Sequence, residues 1–469
     1  MPKLLNQQAN YRADFGETYR SSAIFLKPDG IATTISVMNY WKHKNGLSVS
    51  LLFTERRMDG TLVARTPMGW DAANVINFVP SIEAGSVEVE AFGNVNLRIP
   101  YAAIMAVYET PASVTMVHAY GRNHSLVEIE DDRAILEGRE GCWTLDVAQG
   151  ISNTAYFHNG HAPVDAQKAT MILTRHDGSE VERSFDLAAL RPFETVAFDV
   201  ETIWPDYRAA LDGRLGWATV HFDNASAFTR MLIARHDTRT GHYQTTHSNF
   251  DYSAHQTNLI EATRPALMKP PKVADVQEER VVIYPRFTPG QYSVSTAGET
   301  TPFDHAEVID ASARDALAFE RADGDLPSRI VTGYRARRSP EALPFECSLG
   351  VTHEKRPPKR FHWGLVSAHF ASRIYLTRYE ELYPTPEEGP IELSFTLFGP
   401  SNLESQTRKL SYAARDDLPD SFSMADVFPD ADAVIGDDFG FITLFCNWGG
   451  LVVFTSLEKG DALTVEHTF

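Results

Sequence analysis

Short runs of alternating apolar and polar residues recur along the whole chain, and they leave few folds open. ATTISVMNYW, GLSVSLLF, SVEVEAF, ATMILTRHDG, GWATVHF, IELSFTLF and FGFITLF are examples. Successive side chains of a strand point to opposite faces, so a period of two marks strands. The runs are rich in β-branched and aromatic residues. Turn pairs bound them, among them Asn45-Gly46, Asp59-Gly60, Asn159-Gly160 and Asp177-Gly178. Strands at this spacing, with few helical stretches between, predict an all-β chain of tandem antiparallel β-sandwich units with few short helices. The best helical pattern, HAEVIDASARDALAFERA, predicts a helix from His305 to Ala322.

The order of the runs repeats. AIMAVYETPASVTMVHAYGR, from Ala103, aligns without a gap on ATVHFDNASAFTRMLIARHD, from Ala218, as strand, polar turn, strand. ITLFCNWGGLVVFTSLEKGD, from Ile442, is a third copy with a shorter turn. This alignment places Met116, Met231 and Leu451 on equivalent or adjacent core positions. A second hairpin lies upstream of each copy: SLLFTERRMDGTLVAR from Ser50, ATMILTRHDGSEVERSF from Ala169, and ELSFTLFGPSNLESQTRKL from Glu392. A chain of 469 residues exceeds one ordinary core. The expected division is three sandwich units at 20–145, 146–260 and 360–469. A β-rich segment at 276–353 either begins the third unit or forms a small fourth one. Thr263 to Glu279 and Glu354 to Arg360 read as proline-containing connectors.

The formal charge of −19 speaks against nucleic acid and against anionic membranes, both of which need a dense basic surface. No run reaches the length of a membrane span, and the first twenty residues lack the apolar core of a signal peptide. The three cysteines, Cys142, Cys347 and Cys446, are far apart and odd in number, which fits free thiols in a reducing compartment. The expected location is cytoplasmic.

The repeated hairpins also carry a resemblance. ETPASVTMVHAYGR, from Glu109, and DNASAFTRMLIARHDTRTGHYQTTHS, from Asp223, each pass from a small polar turn into a hydrophobic strand with a basic or polar end. In this the unit resembles the sensory rhodopsin transducer family, over about 100 residues per unit and at the level of topology. The resemblance implies a compact cytoplasmic β-sandwich similar to carbohydrate-binding sandwiches, and a bias toward binding and oligomer formation. Known members are single short domains, whereas this chain joins about three units and an added segment. No site residue is carried over.

RHDTRTGHYQTTHSNFDY, from Arg235 to Tyr252, reads as a polar hairpin that caps one sandwich, with three histidines, two arginines and two aspartates. Its arginines suit carboxylates or sugar hydroxyls, and its tyrosines offer flat faces with a polar tip. Arg235, His236, Asp237, Arg239, His242, Tyr243 and Tyr252 are the candidate ligand-binding residues. His236 and His242 could face each other across the turn beside Asp237, but His242 and His247 are five apart and so on opposite strand faces. The expectation is no metal and no cofactor. In the alignment, His247 recurs as His467 while unit one has Asp132 there, and its simplest reading is a strand-end side chain bonded to backbone. His158 and His161 bracket a turn, Trp363 reads as core or a sugar-stacking face, and Tyr375, Tyr379 and Tyr383 share a face.

There is no GxSxG elbow, P-loop, GxGxxG after a strand, or HExxH. The leading expectation is a non-catalytic multi-unit β-sandwich protein that binds a small-molecule or glycan ligand or a partner, or assembles into a homo-oligomer. The alternatives are an enzyme acting on sugars or polar metabolites through a His/carboxylate site between units, and a structural or adaptor protein.

Overall fold

The computed structural model describes residues 18–95, 97, 103–124, 138–224, 227–249, 252–253, 259–260, 265–284, 290–296, 298–309, 316–327, 330, 332–384, 389–401 and 403–467. Among these residues the chain is all-β, with eight four-stranded antiparallel sheets and helices of six residues or fewer. The sheets come in pairs, and all four pairs share one order. In each group of eight strands, the first pairs with the sixth, then the third and fourth. The fifth pairs with the second, then the seventh and eighth. The groups span residues 19–118, 142–247, 266–349 and 361–467. In the third group, the short strand Leu326–Pro327 pairs with Leu259–Ile260 and stands outside this order.

Two features differ from the sequence expectation. Segment 276–353 carries seven of the third group's strands, and the first, Ala266–Met268, lies inside the stretch that reads as a connector. The stretch expected as a helix holds the strands Glu307–Ile309 and Leu317–Arg321 among its described residues. Its alternation of apolar and polar side chains, as in LAFER, is satisfied by sheet pairing with Val281–Ile283 and Tyr292–Ser295.

The two sheets of each group meet different surroundings. The fourth strands, Leu62–Met68, Glu180–Leu187, Glu299–Phe303 and Ser405–Tyr412, are outer edges with alternating exposure. Arg65, Pro67, Glu182, Arg183, Pro302, Arg408 and Lys409 stand on them, the residue types that keep an exposed edge from pairing with another chain. The eighth strands, Val114–His118, Tyr243–His247, Phe345–Leu349 and Ala462–His467, are almost wholly buried. The first of them packs against the second and fourth, and the third likewise packs against the second and fourth. The four groups therefore close a ring through their inner edges.

The cores cross the group boundaries accordingly. Leu232, Ala234 and Tyr243 of group two and Trp363, Phe370 and Phe441 of group four join the core of group one. Tyr375, Phe454, Leu463 and Val465 of group four join that of group three. Trp217 stacks on Tyr284 between groups two and three, with ring centroids 5.7 Å apart. The three cysteines are buried free thiols. No helix among the described residues is long and apolar enough to cross a membrane.

Groups one and two are also joined by a buried polar contact. The Tyr120 hydroxyl lies 2.9 Å from Nε2 of His158, whose Nδ1 lies 2.8 Å from the Thr195 hydroxyl. Burial lowers the His158 pKa from 6.5 to about 3. In the unfolded chain the imidazole protonates near its ordinary value, so the unfolded state binds more protons between pH 6.5 and 3. The stability that His158 contributes is present above pH 6.5 and is lost as the pH falls toward 3, at up to about 1.4 kcal/mol per pH unit. His158→Gln should flatten the fall in melting temperature across that window. An unchanged pH dependence in the variant would show that His158 is not the group responsible.

Candidate functional site

The candidate hairpin is formed by the seventh and eighth strands of group two, Leu232–Asp237 and Tyr243–His247, and strand alternation splits its residues between two surroundings. Ile233 joins the core of its own group, whereas Leu232 and Ala234 face group one. Arg235 follows the odd face and is buried at 1% exposure. Its guanidinium lies 3.1 Å from the Asp146 carboxylate and 2.9 Å from Glu346 of group three, and donates to the Thr144 hydroxyl. Arg335 of group three completes the network at 2.8 Å from Asp146 and 3.2 Å from Glu346. Burial opposes the charge on Asp146, but Arg335 and Arg235 outweigh it and hold the carboxyl below its usual range. Arg235 is thus an internal tie between groups, not a residue offered to a ligand.

His236 lies on the opposite face, half-buried, with its ring centroid 6.2 Å from that of Tyr243. Tyr243 is core, packed edge-on to Tyr108 at 6.1 Å. Nδ1 of His242 donates to the Glu341 carbonyl at 3.1 Å, and Nε2 lies 3.6 Å from Asp461, so His242 joins group two to groups three and four. Tyr252 pairs through its backbone with Arg139.

Asp237 and Arg239 do line a cleft. Asp237 closes the hairpin turn, accepting from the Arg239 N–H at 2.9 Å and pairing with its guanidinium at 2.8 Å. Burial of Asp237 works against its charge, and the Arg239 bonds bring its pKa below the ordinary value. The cleft lies between groups two and three and has a volume of about 400 Å³. Arg214, Arg239, Arg280 and Arg337 line it together with Glu278 and Glu341, and the Arg335–Asp146 pair forms another part of the wall. Glu278 sits between Arg280, at 2.9 Å, and Arg337, at 2.5 Å. Among the described residues, no Phe, Tyr or Trp lines it. The wall carries guanidinium donors and carboxylate acceptors among apolar residues such as Val147, Ile151, Leu215 and Leu343.

A second polar cluster occupies the ring of eighth strands, and most of it escaped the sequence. The Thr115 and Thr245 hydroxyls lie 3.1 Å apart, Ser113 Oγ donates to the Tyr243 carbonyl, and the Gln244 amide donates to the Leu463 carbonyl. These bonds satisfy polar groups that no solvent reaches. Beside them, His118 Nδ1 lies 3.1 Å from Oε2 of Glu466, and His467 Nδ1 lies 3.5 Å from the same oxygen. The His118 ring stands 4.8 Å from both the His247 and the His467 rings, centroid to centroid. Burial, then Arg230 and His118, push the His247 pKa well below 6.5. Cys347 of the third eighth strand adjoins Glu466, and burial first, then that carboxylate, raise its thiol pKa.

The ungapped alignment from Ala103 hid this cluster. It sets the seventh and eighth strands of group one against the sixth and seventh of groups two and four. Met116 is therefore on an eighth strand, whereas Met231 immediately precedes a seventh strand and Leu451 begins one, although all three are buried. The upstream hairpins from Ser50, Ala169 and Glu392 are in step, each joining a third to a fourth strand. Matching eighth strand to eighth strand puts His118, His247 and His467 at one position. Asp132 lies outside the described residues.

No family model matches the chain, and no curated protein matches it. Solved structures that align include Bacteroides uniformis beta-glucuronidase 2 covalently bound to cyclophellitol-6-carboxylate aziridine. That match has 13% identity and a TM-score of 0.12, covering 49% of this chain and 26% of that one. A second structure of Bacteroides uniformis beta-glucuronidase aligns at 12% identity and a TM-score of 0.12, with the same coverage. A calcium-binding mutant of beta-glucuronidase 2 from the same organism aligns at 12% and 0.13, over 50% of this chain and 26% of that one. The matched region is about a quarter of those chains, and scores this low say nothing of activity.

The two arginines of the hairpin should behave differently. Arg235→Ala removes one of the two guanidinium groups shared by Glu346 and Asp146, leaving Arg335 alone to balance them, and should cost roughly 3 kcal/mol in urea unfolding. Arg239→Ala removes a rim-exposed partner of Asp237 and should cost no more than about 1 kcal/mol. Wild-type stability in the Arg235 variant would contradict the tie between groups two and three.

Proposed function

We propose that this chain is a non-catalytic multi-sandwich binding protein that takes a small polyhydroxylated ligand, a sugar acid above all, in the cleft between groups two and three. The observation that carries this reading is the cleft wall. Its volume of about 400 Å³ falls within the range of small-ligand sites. Hydroxyl groups both donate and accept, so a wall that carries both guanidinium and carboxylate groups can satisfy them in pairs. A ligand carboxylate would find several arginine forks within one cleft. The carboxylates Asp146 and Asp237 are held ionised by arginines, which suits acceptors of hydrogen bonds. Glycoside hydrolysis needs one carboxyl kept protonated as general acid, a role that Asp146 and Asp237 do not suit. His176 also lines the cleft beside these carboxylates, while the other His/carboxylate group between units is buried in the ring of eighth strands.

We propose also that the four groups are four copies of a transducer-like sandwich joined in one chain. Their common strand order supports this, and the ring that they close internally makes a single copy of the chain the expected species in solution.

Calorimetric titration with a hexuronic acid, its neutral hexose and acetate tests the cleft. The uronic acid should bind most tightly, and Arg239→Ala with Arg337→Ala should weaken it at least about tenfold while the chain stays folded with a small change in melting temperature. Equal response to all three compounds, or binding unaffected in the double variant, would overturn the reading.

A further inference from the structure

Three strands distant in sequence bring metal-ligating side chains to one buried point. His118 ends the eighth strand of group one, His247 that of group two, and Glu466 and His467 that of group four. One ligand atom from each of His118, Glu466 and His467 lies within 4.8 Å of the others. Two of the three separations, 3.1 and 3.5 Å, converge on a single carboxylate oxygen. Around a divalent ion with bonds of about 2.1 Å, tetrahedral ligands stand about 3.4 Å apart. Those two pairs are already at the spacing of ligands sharing an ion, and the third, within 4.8 Å, needs closure of at most about 1.4 Å.

The ring beside them is prepared in the manner of a ligating histidine. Nδ1 of His247 lies 2.7 Å from the Ser248 carbonyl oxygen. A carbonyl only accepts, so Nδ1 carries the proton and Nε2 carries the lone pair. A backbone carbonyl that fixes the tautomer in this way is the usual outer partner of a metal-bound imidazole. The rings of His247 and His467 flank that of His118 at equal centroid distances of 4.8 Å. His118, His247 and Glu466 are all more than nine-tenths buried.

We propose that His118, Glu466 and His467 bind a divalent first-row transition ion, zinc in the first place, with His247 poised as a further donor. Imidazole nitrogen with one carboxylate oxygen is a donor set for zinc and its neighbours, and nitrogen-rich sites disfavour calcium and magnesium. The ion would tie residue 118 to residues 466 and 467 and so fasten the first group to the last across the ring. This site is separate from the arginine-lined cleft and does not depend on what binds there.

The test uses the full chain after dialysis against a chelator. Titration with Co²⁺ should give a visible ligand-field band that saturates at one ion per chain, and Zn²⁺ should displace it. Zn²⁺ should also raise the melting temperature, as expected for an ion that binds the folded state alone. Glu466→Gln and His118→Gln should each weaken binding by about 100-fold or more, since losing an outer partner alone costs 10–100-fold. His236→Gln and His242→Gln should leave it unchanged. If the ring variants fail to fold, pulsed EPR of Cu²⁺ bound to the wild-type chain still decides the matter, with two or more imidazole nitrogens expected. Substoichiometric binding, a spectrum without imidazole, or undiminished affinity in folded Glu466→Gln would overturn the site.

Discussion

A four-stranded sheet has two edges, and each edge presents backbone groups that must be covered, paired or solvated. That constraint organises this molecule. The fourth strand of every group meets water with charged and proline residues. The eighth strand of every group instead meets two other eighth strands, and the four of them close a ring. Closure explains why these strands carry Thr115, Gln244, Thr245, Thr246, Glu346 and Thr464, all buried. An apolar sequence there would read as a fully buried strand with no means of binding its neighbours sideways. Short hydroxyl and amide side chains fill the same space and bond across the group boundary.

The charged tie between groups two and three follows from the same closure. Glu346 lies on an inner edge and cannot reach water, so it needs cations from the groups that cover it. Arg235 and Arg335 supply them, and both also hold Asp146. Burying four charges is costly, and an apolar replacement of all four could be as stable. What the network adds is position. It sets the second and third groups at one distance and leaves Arg239, Arg280 and Arg337 on the rim of the space between them. The cleft is in this sense a by-product of how two sandwiches are held together.

Much of the fold was legible because strand period and turn chemistry are local. Alternation in ATMILTRHDG, with Asp177-Gly178 at the turn, specifies a hairpin without reference to anything distant, and the hairpins from Ser50, Ala169 and Glu392 fell into register. The connection between a sixth and a seventh strand crosses from one sheet to the other, yet it shows the same strand–turn–strand pattern as a seventh–eighth hairpin. Period alone cannot tell them apart, and the resulting slip of one strand placed Asp132, not His118, beside His247 and His467. The candidate site suffered from a different local rule. Arg235, His236 and Asp237 are consecutive, so a strand cannot present all three to one ligand. Only Asp237 and Arg239, at the turn, reach the cleft. The rest of its lining comes from other segments of group two and from group three, whose approach depends on burial contacts far apart in sequence.

Strand-matched comparison of the four groups also separates what the fold requires from what it only permits. The last residue of each eighth strand pairs with the seventh: His118 with Met105, His247 with Leu232, Leu349 with Thr332, and His467 with Phe454. If the architecture needed an imidazole there, group three would carry one. It carries Leu349, buried in the core of its own group, and that group closes the ring as the others do. Three histidines at one position are therefore not a packing requirement of the sandwich. His118 and His247 each bear the desolvation cost of a buried imidazole, and His467 is half-buried, where an aliphatic side chain is demonstrably accommodated. Glu466, one residue before His467, adds a buried carboxylate between two of them. A ring that leucine can complete but that places three imidazoles and a carboxylate together has chemistry at its centre beyond what holding four sheets in register demands.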